Sequence, residues 1–408
     1  VKEFTFPNNF LWGAATSGHQ VEGNNINSES WVLEHLPGTI YAEPSGDACD
    51  HYHRYPDDIA LLAKLGFNAY RFSVEWARIE PEEGEFSYAE LEHYRRMLAT
   101  CHEHGLQPVV TYHHFTSPRW LMRYGGWLDE KTPDRFARYC EKVTHHLGDL
   151  ISAACTVNEP NLAVLLSKLL PFNMKEMPWW SAAAQAFGVP VERLGLFQFV
   201  AQSRETILTA HRRAFDVIKA GKGNFPVGLT MALLDIQSAE GGDSRAAEFR
   251  REMSECYLEK LRGDDFVGVQ TYSRMVVGPD GVVPPGEDVE KNQMGEEFFP
   301  ETLEGTIRQA AQVTGIPIIV TENGLSTTDD TRRLEYFRRA LRCVANSLEA
   351  GIDVRGYFCW SAFDNFEWNS GYRPKFGIIA VDRETQQRAP KPSAYWLGSI
   401  ARANKLSD

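Results

Sequence analysis

The sequence predicts an α/β protein built as a single (β/α)8, or TIM, barrel domain over residues 1–408. Three observations carry this expectation. Eight short apolar runs of strand character alternate with segments of helical periodicity. Helix-stop glycines stand just before strands, at Gly66, Gly105 and Gly315. No Gly-x-Gly-x-x-Gly or P-loop pattern occurs, although an open nucleotide-binding sheet would want one after its first strand. No repeat, low-complexity stretch or linker divides the chain.

The eight runs fall at residues 10–15, 67–73, 107–113, 151–157, 225–231, 266–272, 316–321 and 354–361. The first and fifth units are the most ragged. Between the runs, apolar residues recur every three or four positions, as one face of a helix requires. Leu91, Tyr94, Leu98 and Cys101 form one such face, Ile207, His211, Ala214 and Ile218 a second, and Tyr336, Ala340, Val344 and Leu348 a third. Three longer connections leave from strand ends, at residues 18–52, 161–194 and 273–300. In a barrel that end of the strands carries the active site. The last connection holds Gly278-Pro279-Asp280-Gly281 and Pro284-Pro285-Gly286, so it reads as loop and not helix.

Composition excludes some partners. The formal net charge of -13 argues against nucleic acid and against an anionic membrane surface. The most apolar short run, residues 162–170, is far too short to span a bilayer. The chain begins Val1-Lys2-Glu3-Phe4 without an apolar signal segment. Seven scattered cysteines, with no Cys-x-x-Cys pair, fit reduced thiols in a cytoplasmic protein better than disulfides or a zinc site. Aromatics make up 12% of residues, with many near strand ends; most read as core, and some as platforms for flat apolar faces such as sugar rings.

Two stretches stand out: Thr156-Val157-Asn158-Glu159-Pro160 and Thr321-Glu322-Asn323-Gly324. Each sets a glutamate just past a run of apolar, β-branched residues. Ionised carboxylates are expensive to desolvate and seldom sit beside a core without a reason. The fourth and seventh strands of an eight-strand ring can bring them together across the barrel mouth. Other polar groups at strand ends converge on the same place: Gln20 and Glu22, Arg71, His113 and His114, Asn158, Tyr272, Asn323, Trp360, Glu367 and Trp368. Two carboxylates in a pocket of hydrogen-bonding and aromatic groups suit glycoside hydrolysis. One must stay protonated while the other is ionised at the same pH. Arg71 and Tyr272 are placed to hold one of them ionised.

Taken together the motifs resemble glycoside hydrolase family 1, the retaining β-glycosidases. The resemblance runs nearly end to end. It includes Phe10-Leu11-Trp12-Gly13-Ala14-Ala15-Thr16, Gln20-Val21-Glu22-Gly23, Asp50-His51-Tyr52, Tyr70-Arg71-Phe72-Ser73, His114-Phe115 and Gly125-Gly126-Trp127-Leu128. Asn158-Glu159-Pro160, Thr321-Glu322-Asn323-Gly324, Trp360-Ser361 and Asp364-Asn365-Phe366-Glu367-Trp368 complete it. The resemblance implies that Glu159 is the general acid/base and Glu322 the nucleophile. It implies that Asn158 donates to the sugar 2-hydroxyl and that Gln20, His114, Glu367 and Trp368 hold the glycone hydroxyls. Trp360 would lie under the sugar ring, with Arg71 and Tyr272 orienting the nucleophile. Retention predicts carboxyl groups roughly 5–5.5 Å apart, against roughly 6.5–9.5 Å for inversion. The implied partner is a small β-glycoside, β-glucosides first and β-galactosides or β-fucosides next, as in cellulose degradation. No metal or organic cofactor is implied, and self-association into a homo-oligomer is left open. Members acting on 6-phosphorylated sugars tend to lose the residue at Glu367, so its presence argues for a non-phosphorylated glycone.

The chain also departs from the family pattern. Gln270-Thr271-Tyr272 stands where Asn-Tyr-Tyr is usual, Met294-Gly295-Glu296-Glu297 where Met-Gly-Trp-Glu is usual, and Asn161 where many members carry Trp. These changes bear on the leaving-group side more than on the glycone.

Blander readings stand beside these. His113 and His114 are adjacent in a strand and point opposite ways, so one faces the pocket and the other packs behind it. His51 and His53 read as structural, and Asp57-Asp58 as the start of a helix. Trp179-Trp180 divides evenly between an aglycone platform and loop packing. Arg332-Arg333, Arg338-Arg339 and Arg342 read as a solvated face with Glu335 and Glu349. Three other functions compete. A transglycosidase would use the same residues. A non-catalytic sugar-binding protein should have lost a glutamate. An unrelated barrel aldolase or isomerase would want a strand-end Schiff-base lysine or a phosphate loop, and the sequence offers neither.

Overall fold

A computed structural model describes residues 3–169 and 174–407. Part of the connection at 161–194, and the end of the apolar run at 162–170, lie outside the described residues. Eight parallel strands close into a barrel: β1 (Leu11–Ala15), β2 (Ala69–Ser73), β3 (Gln107–His113), β4 (Ala153–Asn158), β5 (Val227–Ala232), β6 (Phe266–Thr271), β7 (Ile318–Asn323) and β8 (Val354–Trp360). β8 pairs with β1 and closes the ring. Each strand overlaps one of the eight apolar runs.

Helices return the chain outside the ring, among them His51–Leu65, Tyr88–Glu103, Thr132–Leu147, Arg204–Ala220, Thr302–Thr314, Asp330–Glu349 and Pro392–Ala403. Their periodic faces are buried against the outer side of the strands, as with Leu91, Tyr94, Leu98 and Cys101. Gly315 ends its helix at φ +68° with no atom near a hypothetical Cβ, so backbone conformation alone selects glycine there. Near the chain ends, Phe4–Thr5 pairs antiparallel with Lys405–Leu406.

The inside of the ring is packed, not hollow. Phe266, Ile319 and Phe358 fill it, while Ala15, Ala69 and Ala153 leave them room. Gly13 is part of this fit: a Cβ there would meet the Phe358 ring at 2.4 Å. Toward the strand carboxyl ends the interior turns polar, with Arg71, Thr111, Thr230, Gln270 and Thr321 all buried.

Three expectations need correction. Asp57 and Asp58 lie inside the helix His51–Leu65, not at its start; Asp58 is buried and binds His51 and Arg388. Arg333 is fully buried, not solvated; it reaches Asp330 and the carbonyls of Thr327 and Lys375. Arg332 pairs with Glu290 and Arg339 with Glu301, both outside their own helix. The connection 273–300 is not helical, but it holds a hairpin. Arg274–Gly278 and Gly281–Val283 pair across the Pro279-Asp280 turn, and Asp235–Ser238 joins as a third strand. Val-Val on each side of a Pro-Asp turn was the available signal.

Candidate active site

Regular alternation would not build this site. In β7, Ile319 faces the barrel interior, so strict period 2 would bring Thr321 and Asn323 inward and turn Glu322 out. The pairing register shifts between Val320 and Glu322. Thr321 and Glu322 then both face the interior, through Gln270 and Arg71 respectively. Asn323 turns outward to Tyr336, Tyr357 and the Thr271 carbonyl. β4 does the same. Cys155 faces inward, Val157 joins the outer core, and a register irregularity between Cys155 and Asn158 turns Asn158 inward. Such irregularities re-aim side chains beside functional sites. Glu159 follows at φ +48°, a left-handed conformation rare outside glycine, with its N–H donated to the Thr230 carbonyl.

Arg71 ties the floor together. Its Nε donates to Thr111 Oγ1 at 3.1 Å, one terminal nitrogen to Glu322 Oε1 at 2.7 Å, and the other to Asn158 Oδ1 at 2.7 Å. Tyr272 donates its hydroxyl to Glu322 Oε2 at 2.5 Å. Both oxygens of Glu322 are thus held. Asn158 Oδ1 also accepts from Thr230, which fixes the amide, while its buried Nδ2 has no partner among the described residues. Gln270 donates from Nε2 to Glu159 Oε1 at 2.7 Å and accepts from Thr321.

The carboxyl groups differ in surroundings. Burial raises Glu159 first, the Glu322 charge adds to it, and the Gln270 bond opposes both; the result is about 8. Burial also pushes Glu322 above the ordinary range, but the Arg71 cation and the Tyr272 hydroxyl pull it back. The first proton to leave the pair therefore comes from Glu322, because it alone has a cation against it. Glu367 is likewise raised to about 8, by burial and then by the Glu322 charge. Burial drives His114 well below its usual value, so its ring is neutral.

These groups face a cavity of about 270 Å³ at the barrel mouth. Gln20, His114, Glu159, Tyr272, Glu322, Trp360, Glu367 and Trp368 all line it. Arg71 and Asn158 sit beneath it. Gln20 is pinned by donating to the Phe366 carbonyl at 2.7 Å and accepting from Ser17 at 2.6 Å. His114 lies nearly parallel to both Trp360 and Trp368. Glu22 is not in the cavity; it is buried against Arg78 and Tyr94. His113 packs behind, on Ser117 and Trp127. His51 binds Asp58 and Tyr70, and His53 sits apart on Asp50. Trp179 and Trp180 lie on the helix Pro178–Phe187 of the connection 161–194, pack edge-to-face on each other and do not line the cavity. Asn161 ties the carbonyls of Ala232 and Met253 instead of facing it. Sequence reasoning did not assign Tyr41, Phe199 or Met294, which also line it. Gln270 and Glu296 were noted only as departures, yet Gln270 holds Glu159 and Glu296 lines the wall. Among the described residues no group of three or more His, Cys, Asp or Glu could hold a metal ion.

A (β/α)8 barrel with two buried, differently held carboxylates facing an aromatic-walled cavity at its carboxyl end has the architecture of a barrel glycoside hydrolase. Comparison with known proteins gives the family. Residues 2–248 and 282–406 match the model of Glycosyl hydrolase family 1, and the chain belongs to that family. Beta-glucosidase A of Thermotoga maritima is 30% identical over 99% of each chain. Thermostable beta-glucosidase B of Thermobispora bispora is 32% identical over 99% of this chain and 92% of its own. Among solved structures, beta-glycosidase BGL167 superposes with a TM-score of 0.95 at 60% identity, covering 98% of this chain and 97% of its own. The stretch 249–281, which carries Gln270, falls between the two matched segments.

Proposed function

We propose that this chain is a β-glucosidase that hydrolyses non-phosphorylated β-glucosides with retention. Glu322 attacks the anomeric carbon to give a covalent glycosyl-enzyme. Glu159 protonates the leaving oxygen and then deprotonates the incoming water. The observation that carries this reading is the unequal holding of the two carboxyls. Glu322 is gripped on both oxygens, by a cation and a hydroxyl, which suits an ionised nucleophile fixed in direction. Glu159 has only a neutral amide and stays protonated to about pH 8, which suits an acid.

The other roles follow from placement. The unpartnered Asn158 Nδ2 is oriented to donate to a sugar hydroxyl. Gln20, His114, Glu367 and Trp368 hold the glycone, and Trp360 supports its ring. Four carboxyl groups, Glu159, Glu296, Glu322 and Glu367, and no Lys or Arg line the cavity among the described residues. A sugar phosphate would find no cation in that lining and would face the ionised Glu322. β-Galactosides and β-fucosides belong to the same proposal as secondary substrates. The relatives' names support glucosides as the primary class. We take the chain to act as one catalytic domain. Its seven free thiols support a reducing, cytoplasmic setting.

The test is trapping. A 2-deoxy-2-fluoro β-glucoside with a good leaving group should inactivate the enzyme and leave its mass on the peptide containing Glu322. A label on any other residue would sink the nucleophile assignment, and so would an active enzyme that takes no label.

A further inference from the structure

The cavity at the barrel mouth has a neighbour. A groove of about 320 Å³ runs beside it over the β5 and β6 side, walled by Leu234, Met275, Val282, Val283, Pro284 and Pro285. Glu296 lines both spaces and stands at their junction. Val282 and Val283 are 39% and 43% exposed, and Met294, on the cavity side of the junction, is 40% exposed. Leu169, on the same groove wall, is 46% exposed, so four of the eight large apolar side chains this exposed among the described residues stand at one opening and form a patch that costs solubility without a ligand.

Two further facts say what would lie there. The polar groups of the wall are already engaged with one another. Arg274 is held bidentate by Glu297 and also binds Gln237, and Ser273 donates to the Glu297 carbonyl. What they leave toward the groove is hydrocarbon, which suits an apolar body and not a second sugar. The groove also lies on the acid's side. Glu159 ends β4 and is held by Gln270 of β6, while Gln20, Trp360, Glu367 and Trp368 follow β1 and β8 across the ring. A leaving group departs on the side of the acid that protonates it.

We propose that the leaving-group side of the site continues past Glu296 into this groove, and that the groove takes the apolar aglycone of a β-glycoside. The proposal rests on the glycosidase reading above. The substrates selected are glucosides of long alkyl or fused-ring alcohols, ahead of β-linked disaccharides. The Glu296 carboxylate, bound on one oxygen by Asn292 at 2.8 Å, meets the aglycone where it leaves the sugar.

The test is kcat/KM for butyl, hexyl and octyl β-glucosides and for cellobiose, with wild type, Val282→Asp and Val283→Asp. Both valines sit on a short peripheral strand, and unchanged circular dichroism checks the fold. A fully buried methylene contributes about fourfold, so even partial burial of four of them should raise wild-type kcat/KM at least about tenfold from butyl to octyl. The aspartates should flatten that rise and leave cellobiose within about twofold, because uniform binding of an apolar body is all they remove. A flat alkyl series in the wild type would overturn the proposal, as would variants that slow cellobiose and octyl glucoside alike. A wild type inactive on every one of these glucosides would instead overturn the glycosidase reading, and the groove's role with it.

Discussion

Replacing Gln270 with methionine isolates what tunes the Glu159 carboxyl. The substitution keeps chain length and nearly keeps volume. It deletes the Nε2–H that donates to Glu159 Oε1 at 2.7 Å. That bond favours the charged form, against burial and the Glu322 charge, and the balance stands at about 8. A hydrogen bond to a charged group contributes about 1.5–3 kcal/mol. At about 1.4 kcal/mol per pKa unit, its loss should raise Glu159 by about 1–2 units. Glu159 must be protonated to assist departure, so activity is lost as pH rises through its pKa. Raising that pKa moves the alkaline limb of the kcat/KM profile upward. The acid limb, set by ionisation of Glu322, should stay in place, since Arg71 and Tyr272 still hold that group. The profile should be taken with cellobiose, whose poor leaving group needs the proton. A glucoside with a very acidic leaving group should feel the change only weakly. An alkaline limb that stays put, or moves down, would refute the assignment of Gln270 as the residue that steadies the Glu159 charge.

Two other outcomes are expected. Glu159→Gln should lower kcat/KM for cellobiose by about 10²–10⁴, the usual share of general acid–base assistance, while sparing the first step with an activated aryl glucoside; equal losses on both would contradict the acid role. Gly13→Ala should destabilise the barrel by roughly 1–3 kcal/mol, since its Cβ meets the Phe358 ring at 2.4 Å and the Ala69 carbonyl at 2.9 Å. Thermal melting should show a clear fall, and an unchanged melting temperature would mean that the interior has slack at that layer.

The barrel was legible because its signals are local. Every strand run found its strand, and the three helical faces lie against the core. The two glutamates were legible because a carboxylate after an apolar run is costly and so conspicuous. What escaped depended on long-range geometry. Asp58 looked like a helix start because acidic residues favour that end, but a half-buried Arg388 from the far end of the chain claims it instead. Arg333 carried the periodicity of a surface arginine, and its burial rests on Asp330, the Thr327 carbonyl and the carbonyl of distant Lys375. Gln270 was visible as an oddity, but not what it does, because its partner lies 111 positions away. The expected strand ends at Val157 and Thr321 fell short of Asn158 and Asn323. Those are the places where period 2 breaks, and a pattern cannot be extended through its own interruption.

The broken register in β4 and β7 sets packing and chemistry at odds. A regular strand would satisfy the barrel core at least as well. It would also carry Glu322 out of reach of Arg71 and spare the interior a buried carboxylate. Selection for thermal stability alone would therefore reward variants that straighten these strands, and it would yield a well-packed barrel that no longer turns over substrate. Activity has to be scored alongside melting temperature in any effort to harden this enzyme, and substitutions in residues 155–159 and 320–323 are where the two scores should part company.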